Sequence, residues 1–334
     1  MSTEVRDRCE SISPDCPIEL TIYGYVPNMG GNVFYAVIFG LCTLAQTYFL
    51  IRYWRRWKGY TILVLLGSLI ETGGYAGRIL MSKNPFDGGA TSIQFVLLMV
   101  APSFLAAALY MTLRSLVQYF GEEYTKLPAR FWTWPFLTAD MVGFFSQCGG
   151  GIMASMSEKN PSVAKAGIYV MVFGVTLQAV VMAVAGILAI DFALRMHRRQ
   201  GSMFRHLPKD LNIFLISLSI AFFVIFTRCI YRIVELSDGV GGYMMRQEVE
   251  FMILDGCTIA ISVILLTAIH PGIYAKAIHG SHVQHRSKSM RLTDLESRRG
   301  RAERLPTGVV HAENVRTDTS RTDSVQIIKP RSRE

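Results

Sequence analysis

Between Thr227 and Asp255, Arg228, Arg232, Glu235, Glu248 and Asp255 sit at or inside the ends of two consecutive apolar runs. Arg228, Arg232 and Glu235 are spaced i, i+4, i+7, which puts them on one face of a helix. Glu248 and Asp255, seven apart, share a face of the next helix. An ionisable side chain inside a bilayer costs at least ~2.5–3.5 kcal/mol, so these groups should face the interior of a helix bundle and be partnered. Charges of both signs, gathered there, can hold a polar headgroup.

Other polar residues lie within apolar stretches. Glu71 and Arg78 are seven apart with Gly74 and Tyr75 between them, while Gly73 and Gly77 form a small-xxx-small pair that permits close helix approach. Asp140 precedes Ser146, Gln147 and the triplet Gly149, Gly150 and Gly151. The triplet reads either as a helix end or as a hinge or broken helix beside a substrate path. Asp191 is close enough to Arg195 to be an ordinary interfacial pair. With a rise of ~1.5 Å per residue, Arg228 and Asp255 come out at similar depth, roughly 10 Å below the outer boundary. They are the first pairing expected. Glu71 lies nearer the midplane, and Asp140 falls in the inner half. The expectation is a polar cavity open to the outside and narrowing toward Glu71, suited to a headgroup on the charges and a tail among Phe, Met and Leu.

These residues need helices to hold them. The chain has 334 residues, 51% of them hydrophobic, with mean hydropathy +0.30. Its repeated apolar runs of about 20 residues match a ~30 Å hydrocarbon core. Seven spans are predicted, at 32–51, 60–81, 93–117, 134–155, 167–192, 212–235 and 249–274. The links between them are short and punctuated by Pro or Gly, which favours antiparallel neighbours. The fold class is an all-α membrane protein, a seven-transmembrane helical bundle. Its parts are an extracellular segment 1–31, a membrane domain 32–274 and a disordered basic cytoplasmic tail 275–334.

The net charge of +9 does not point to nucleic acid, because the basic residues lie between apolar runs and in the tail. One side collects Arg52, Arg55, Arg56, Lys58, Arg114, Lys126, Arg130, Arg195, Arg198, Arg199, Arg205 and Lys209. That side should be cytoplasmic, with the N-terminus outside and the C-terminus inside. Trp54, Trp57, Trp132 and Trp134 at the same span ends agree. The basic loops and tail are expected to meet anionic inner-leaflet lipids, with Ser287, Ser289 and Ser297 as sites whose phosphorylation would weaken that attraction. The first 20 residues are polar, so insertion should be directed by the first span. Cys9 and Cys16 can form a disulfide if the N-terminus is outside, whereas Cys42, Cys148, Cys229 and Cys257 read as apolar packers.

The motifs Glu71-x-x-Gly74-Tyr75-x-x-Arg78, Asp140 with Gln147, and Arg228-x-x-Tyr231-Arg232-x-x-Glu235 followed by Glu248 and Asp255 make the chain resemble the fungal RTA-like family. These are seven-span lipid-translocating exporters, and the resemblance runs from about Tyr23 to Tyr274. It implies a plasma-membrane protein acting on sphingoid bases, phospholipids or toxic sterol-like amphiphiles, with porphyrin handling in one branch, and resistance to membrane-active compounds. The family often carries His in the first span where this chain has Gln46.

Two other classes compete. Seven spans with an outer N-terminus is also receptor topology, so a lipid sensor that binds without transporting is the alternative. Leu113-Arg114-Ser115 lacks the acidic-Arg-aromatic triplet of rhodopsin-like receptors, and His270-Pro271-Gly272-Ile273-Tyr274 matches only half of their usual ending. A zinc amidase would need about three ligands, yet only His270 lies at a span end. A retinal pigment would need a lysine in the last span, and none precedes Lys276. No enzyme activity, metal or cofactor is expected. The sequence leaves the oligomeric state open.

Overall fold

The structure is a computed structural model that describes residues 13, 16–21, 23–120, 125, 133–155, 161–199, 209–239 and 241–273. The chain divides into two units, Met1–Val283 and Gln284–Glu334, and all described residues belong to the first. Cys9, Trp132, the tail with its three serines, and several of the basic loop residues lie outside the described set. Cys16 is disulfide-bonded; Cys42, Cys148, Cys229 and Cys257 are free.

Seven long helices follow one another among the described residues: α1 (Met29–Arg55), α2 (Trp57–Lys83), α3 (Gly88–Phe120), α4 (Trp134–Ser155), α5 (Pro161–Arg199), α6 (Lys209–Ser237) and α7 (Glu248–Ile273). Six are long and apolar enough to cross a membrane. The exception is α4, the helix that carries Asp140, Gln147 and the glycine triplet.

The surface is inverted relative to a protein built for water. On α6, Ile213, Ile216, Ile220, Phe223, Ile230 and Val234 form an exposed apolar stripe at helical spacing, while Arg228, Arg232 and Glu235 are buried on the opposite face. Phe34, Val37, Leu41, Leu44 and Tyr48 make the same stripe on α1. Only lipid matches such an exterior, so this is an integral membrane protein.

The chain reverses within the gap expected after the first span, at two non-helical residues, Tyr53 and Trp57, that divide α1 from α2. The turn is sharp, because α1 folds back antiparallel on α2: Asn32 meets Arg78, Tyr35 meets Tyr75, and Thr43 bonds to Ser68. α3 packs back along α2, with Gly74 under Leu98 and Gly77 under Gln94, so close that a Cβ at Gly77 would sit 3.3 Å from the Gln94 Cα. α3 is the most enclosed helix and α1 the most peripheral, with 72% and 11% of their apolar windows buried.

α4 and α5 form the closest backbone seam. Gly143 faces Gly174 and Gly150 faces Gly167, and a Cβ at Gly150 would stand 2.6 Å from the Gly167 carbonyl oxygen. The triplet is therefore neither a helix end nor a break, since α4 runs on to Ser155. The missing side chains let two backbones touch, and that contact offsets the flexibility that three glycines bring.

α7 closes the bundle against α1, α2 and α6. At one end, Tyr60 donates to the Leu266 carbonyl and Gln46 Nε2 to Thr267 Oγ1. The Gly272 N–H donates to His270 Nδ1, so Nε2 carries the proton and donates to Thr61 Oγ1 at 2.8 Å. Gln46 thus ties α1 to α7. At the other end, Gly239 and Gly241 take positive φ (86° and 77°) in the reversal from α6 to α7.

Candidate functional site

Five of the singled-out residues form one connected set of ion pairs between α2, α6 and α7. Asp255 Oδ1 is shared by two guanidinium groups, accepting from Arg232 Nε at 2.7 Å and lying 2.9 Å from Arg228 Nε. Arg232 Nη1 also donates to Glu235 Oε2 at 2.7 Å, and Arg228 Nη2 lies 3.7 Å from Glu71 Oε1. Side-chain exposure across this set does not exceed 3%, so these are pairs with almost no solvent screening. The expected pairing of Arg228 with Asp255 is present.

The local backbone explains why one carboxylate reaches both arginines. Residues Phe251–Cys257 of α7 are a π-helical turn, a widened turn frequent at functional sites. It presents Asp255 to a face of α6 where Arg228 and Arg232 stand one turn apart. Gly256, in the same turn, approaches α1 and α2 so closely that a Cβ would meet the Tyr75 hydroxyl at 2.7 Å and the Tyr35 ring at 2.8 Å. Tyr35 in turn donates to the Met252 carbonyl at 2.8 Å.

Arg228 has a further partner in α3. Pro102 has no N–H to offer the carbonyl four residues earlier, which is Leu98. Arg228 Nη2 donates to that carbonyl at 2.6 Å. A helix-breaking residue in α3 thereby makes an acceptor for a guanidinium on α6.

Arg78 is fully buried but does not pair with Glu71, with which it shares a helix face. Instead Nε donates to Asn32 Oδ1 at 3.0 Å and Nη2 to the Tyr25 hydroxyl at 3.1 Å, while Glu248 lies 4.0 Å away. Its guanidinium stands 4.0 Å from the centroid of the Phe251 ring, and Arg232 stands 5.3 Å from the same centroid. One aromatic ring therefore lies against two cations.

Residues before α1 lie across this end of the set. Tyr23 is buried against Arg78 and its hydroxyl accepts from Gln94 Nε2; Asn28 N–H donates to Glu248 Oε1 at 2.5 Å. Burial raises the hydroxyl pKa of Tyr25, and the Arg78 guanidinium beside it pulls the other way, so the Tyr25 hydroxyl remains a neutral partner for Arg78. Among the described residues, these side chains leave no polar cavity open to the outside. They are packed on one another and covered by this segment, and a small apolar cavity lies elsewhere, lined by Tyr60, Phe214, Leu218, Leu265 and Ile269.

Asp140 and Gln147 stand apart from the ion-pair set. Gln147 Nε2 donates to Gln178 Oε1 at 3.1 Å, and the Ser103 hydroxyl donates to the same oxygen. Asp140 is 1% exposed, and neither carboxyl oxygen has a hydrogen-bond partner in the protein. The Tyr110 hydroxyl faces it without closing a hydrogen bond. Sequence reading missed Tyr23, Tyr25, Asn32, Gln94, Phe251, Tyr110 and the Leu98 carbonyl. Pro102 and the buried Gln94, both inside an apolar run, were the signals available. No group of His, Cys, Asp and Glu able to hold a metal occurs among the described residues.

Comparison with known proteins adds to this geometry. The chain is 28% identical over 287 residues to the sphingoid long-chain base transporter RSB1 of Saccharomyces cerevisiae, covering 76% of this chain and 74% of that one. It is 27% identical to protein RTA1 of the same species, covering 79% and 89%. It is also 30% identical over 200 residues to its protoporphyrin uptake protein 1, covering 59% and 64%. No solved structure matches. The family described as RTA1 like protein matches residues 64–278, a span that holds the whole ion-pair set, and the chain belongs to that family.

Proposed function

We propose that the protein is a translocator of amphiphilic lipids, with long-chain bases the first substrates to test and phospholipids or sterol-like toxic amphiphiles next. The observation behind this reading is the closed set of buried ion pairs formed by Glu71, Arg228, Arg232, Glu235 and Asp255, with Arg78 and Glu248 beside it, inside a lipid-facing shell. A headgroup bearing an amine or a phosphate can exchange for one member of such a pair without leaving the other unpaired. The names of the relatives, a sphingoid long-chain base transporter and a protoporphyrin uptake protein, point to the same class of cargo and to no enzyme.

In this reading all seven helices cross the membrane, α4 included, because Asp140 and Gln147 are turned inward and Val142, Phe145 and Ile152 face out. Residues 1–31 are outside and residues 275–334 inside, the basic loops and tail resting on anionic lipid. The site then lies in the outer leaflet of the plasma membrane, closed by the segment before α1, and the outer half of the cycle is the lifting of that segment. Resistance to membrane-active compounds follows from export.

The test is movement of a labelled long-chain base in vesicles containing the purified protein, with Arg228→Ala and Asp255→Ala as variants. Loss of flux in both, at normal expression, supports the reading. Unchanged flux removes these residues from the path. Tight binding of the base with no movement by the wild type would favour a sensor instead.

A further inference from the structure

Asp140 plays no part in the ion-pair set, and its surroundings differ in kind. It sits six residues into α4, about 9 Å along the helix from Trp134, among apolar neighbours. No ion pair among the described residues includes it. From α3 it is faced by the Tyr110 hydroxyl, and Cys229 of α6 is near, its thiol directed at Met182 Sδ. The neighbouring Arg228 is turned away, toward Glu71, Asp255 and the Leu98 carbonyl. The charged and titratable residues of α5 outside its apolar middle are Lys165 near its start and Asp191, Arg195, His197, Arg198 and Arg199 in its last three turns. A lone ionised carboxylate in such a place is costly, and the group neutralises instead. A carboxyl O–H also gives the pair what it lacks, since a neutral acid and the Tyr110 hydroxyl can each donate to the other's oxygen.

We propose that Asp140 is a proton-binding site, and that release of its proton to the inner side is coupled to the inward-facing step of the cycle. The binding half stands on the geometry alone; the coupling half rests on the translocator reading. Above Asp140 on the same face of α4 is Gln147, joined to Gln178 and Ser103, with Gln147 Oε1 and Gln178 Nε2 still unpaired. When the inner ends of α3, α4 and α6 part, water reaches the carboxyl and stabilises its anion. When they close, the anion is stranded until it takes up a proton, so protonation and closure occur together.

Infrared difference spectroscopy of the protein in lipid nanodiscs, between mildly acidic and mildly alkaline buffer, tests the binding half. The expected result is a protonated-carboxyl C=O band in the wild type that is missing in Asp140→Asn, shifted in Asp140→Glu and retained in Glu71→Gln. A wild type without the band, or an Asp140→Asn variant that keeps it, overturns the proposal. In vesicles, flux of a labelled long-chain base should change severalfold with an imposed pH gradient in the wild type. Asp140→Asn should continue to move the base but ignore the gradient. Flux in Asp140→Asn that still follows the gradient, or wild-type flux that ignores it or follows a sodium gradient instead, overturns the coupling. A wild type that moves no base contradicts the translocator reading, and the infrared band then judges the site by itself.

Discussion

Two buried acids, Asp255 and Asp140, each 1% exposed, face opposite circumstances in this bundle. Asp255 stands between two guanidinium groups on a widened turn of α7, both paired with the same carboxyl oxygen. Asp140 has a phenol and a thiol for company and no cation. Burial alone therefore says little about what an acidic residue does inside a membrane protein. The partner decides whether the charge persists, and the set between α2, α6 and α7 holds its charges by pairing them while α4 holds an acid with no cation beside it.

Substitutions can break this comparison, and the largest effect belongs to Asp255→Ala. It strips both arginines of their shared partner, and removing one side of a buried pair costs about 3–5 kcal/mol. Unfolding in mild detergent should register that loss, while a variant as stable as the wild type would mean the pairs are solvated and open. Next comes Gly150→Ala. The added Cβ would stand 2.6 Å from the Gly167 carbonyl oxygen, where overpacking costs about 1–3 kcal/mol, so this end of the molecule is sensitive to volume and not to charge. Asp140→Asn should cost less than about 1 kcal/mol at neutral pH, because the amide keeps the shape of a neutral carboxyl and can still donate to the Tyr110 hydroxyl. A loss as large as that of Asp255→Ala would erase the distinction between the two acids. Smallest is Asp191→Asn at the end of α5. Its pair with Arg195 is 2.8 Å long, but the two side chains are 40% and 36% exposed, and such pairs are worth no more than about 1 kcal/mol. The melting temperature should not move.

Much of the fold can be read from the sequence because the bilayer fixes the length of an apolar run. The seven helices correspond to the seven runs, usually with one to seven extra residues at their ends. Depth can be read too, since the rise per residue is constant, and that is why Arg228 and Asp255 could be matched in advance. Rotation and local distortion cannot be read in the same way. Whether Glu71 faces Arg78 or Arg228 depends on how α2 turns against α6, and only the second is found. The π turn at Phe251–Cys257 has no marker in residue spacing, and the glycine seam depends on the register of two helices. The reversal at Tyr53 and Trp57 falls where the cluster of basic residues marks a membrane boundary, although the tightness of the turn has no marker in the sequence. The segment holding Tyr23 and Tyr25 was passed over because it lies outside the apolar runs, although it covers the charges that those runs bring together.

The central claim, that the paired charges between α2, α6 and α7 handle the headgroup of a moving lipid, is tested most directly by a variant that leaves the net charge unchanged. Arg232→Gln combined with Glu235→Gln removes one cation and one anion from the set and leaves Arg228 with Asp255 and Glu71. Flux of a labelled long-chain base should fall to the level of empty vesicles while the protein remains folded. Flux equal to that of the wild type would contradict the account.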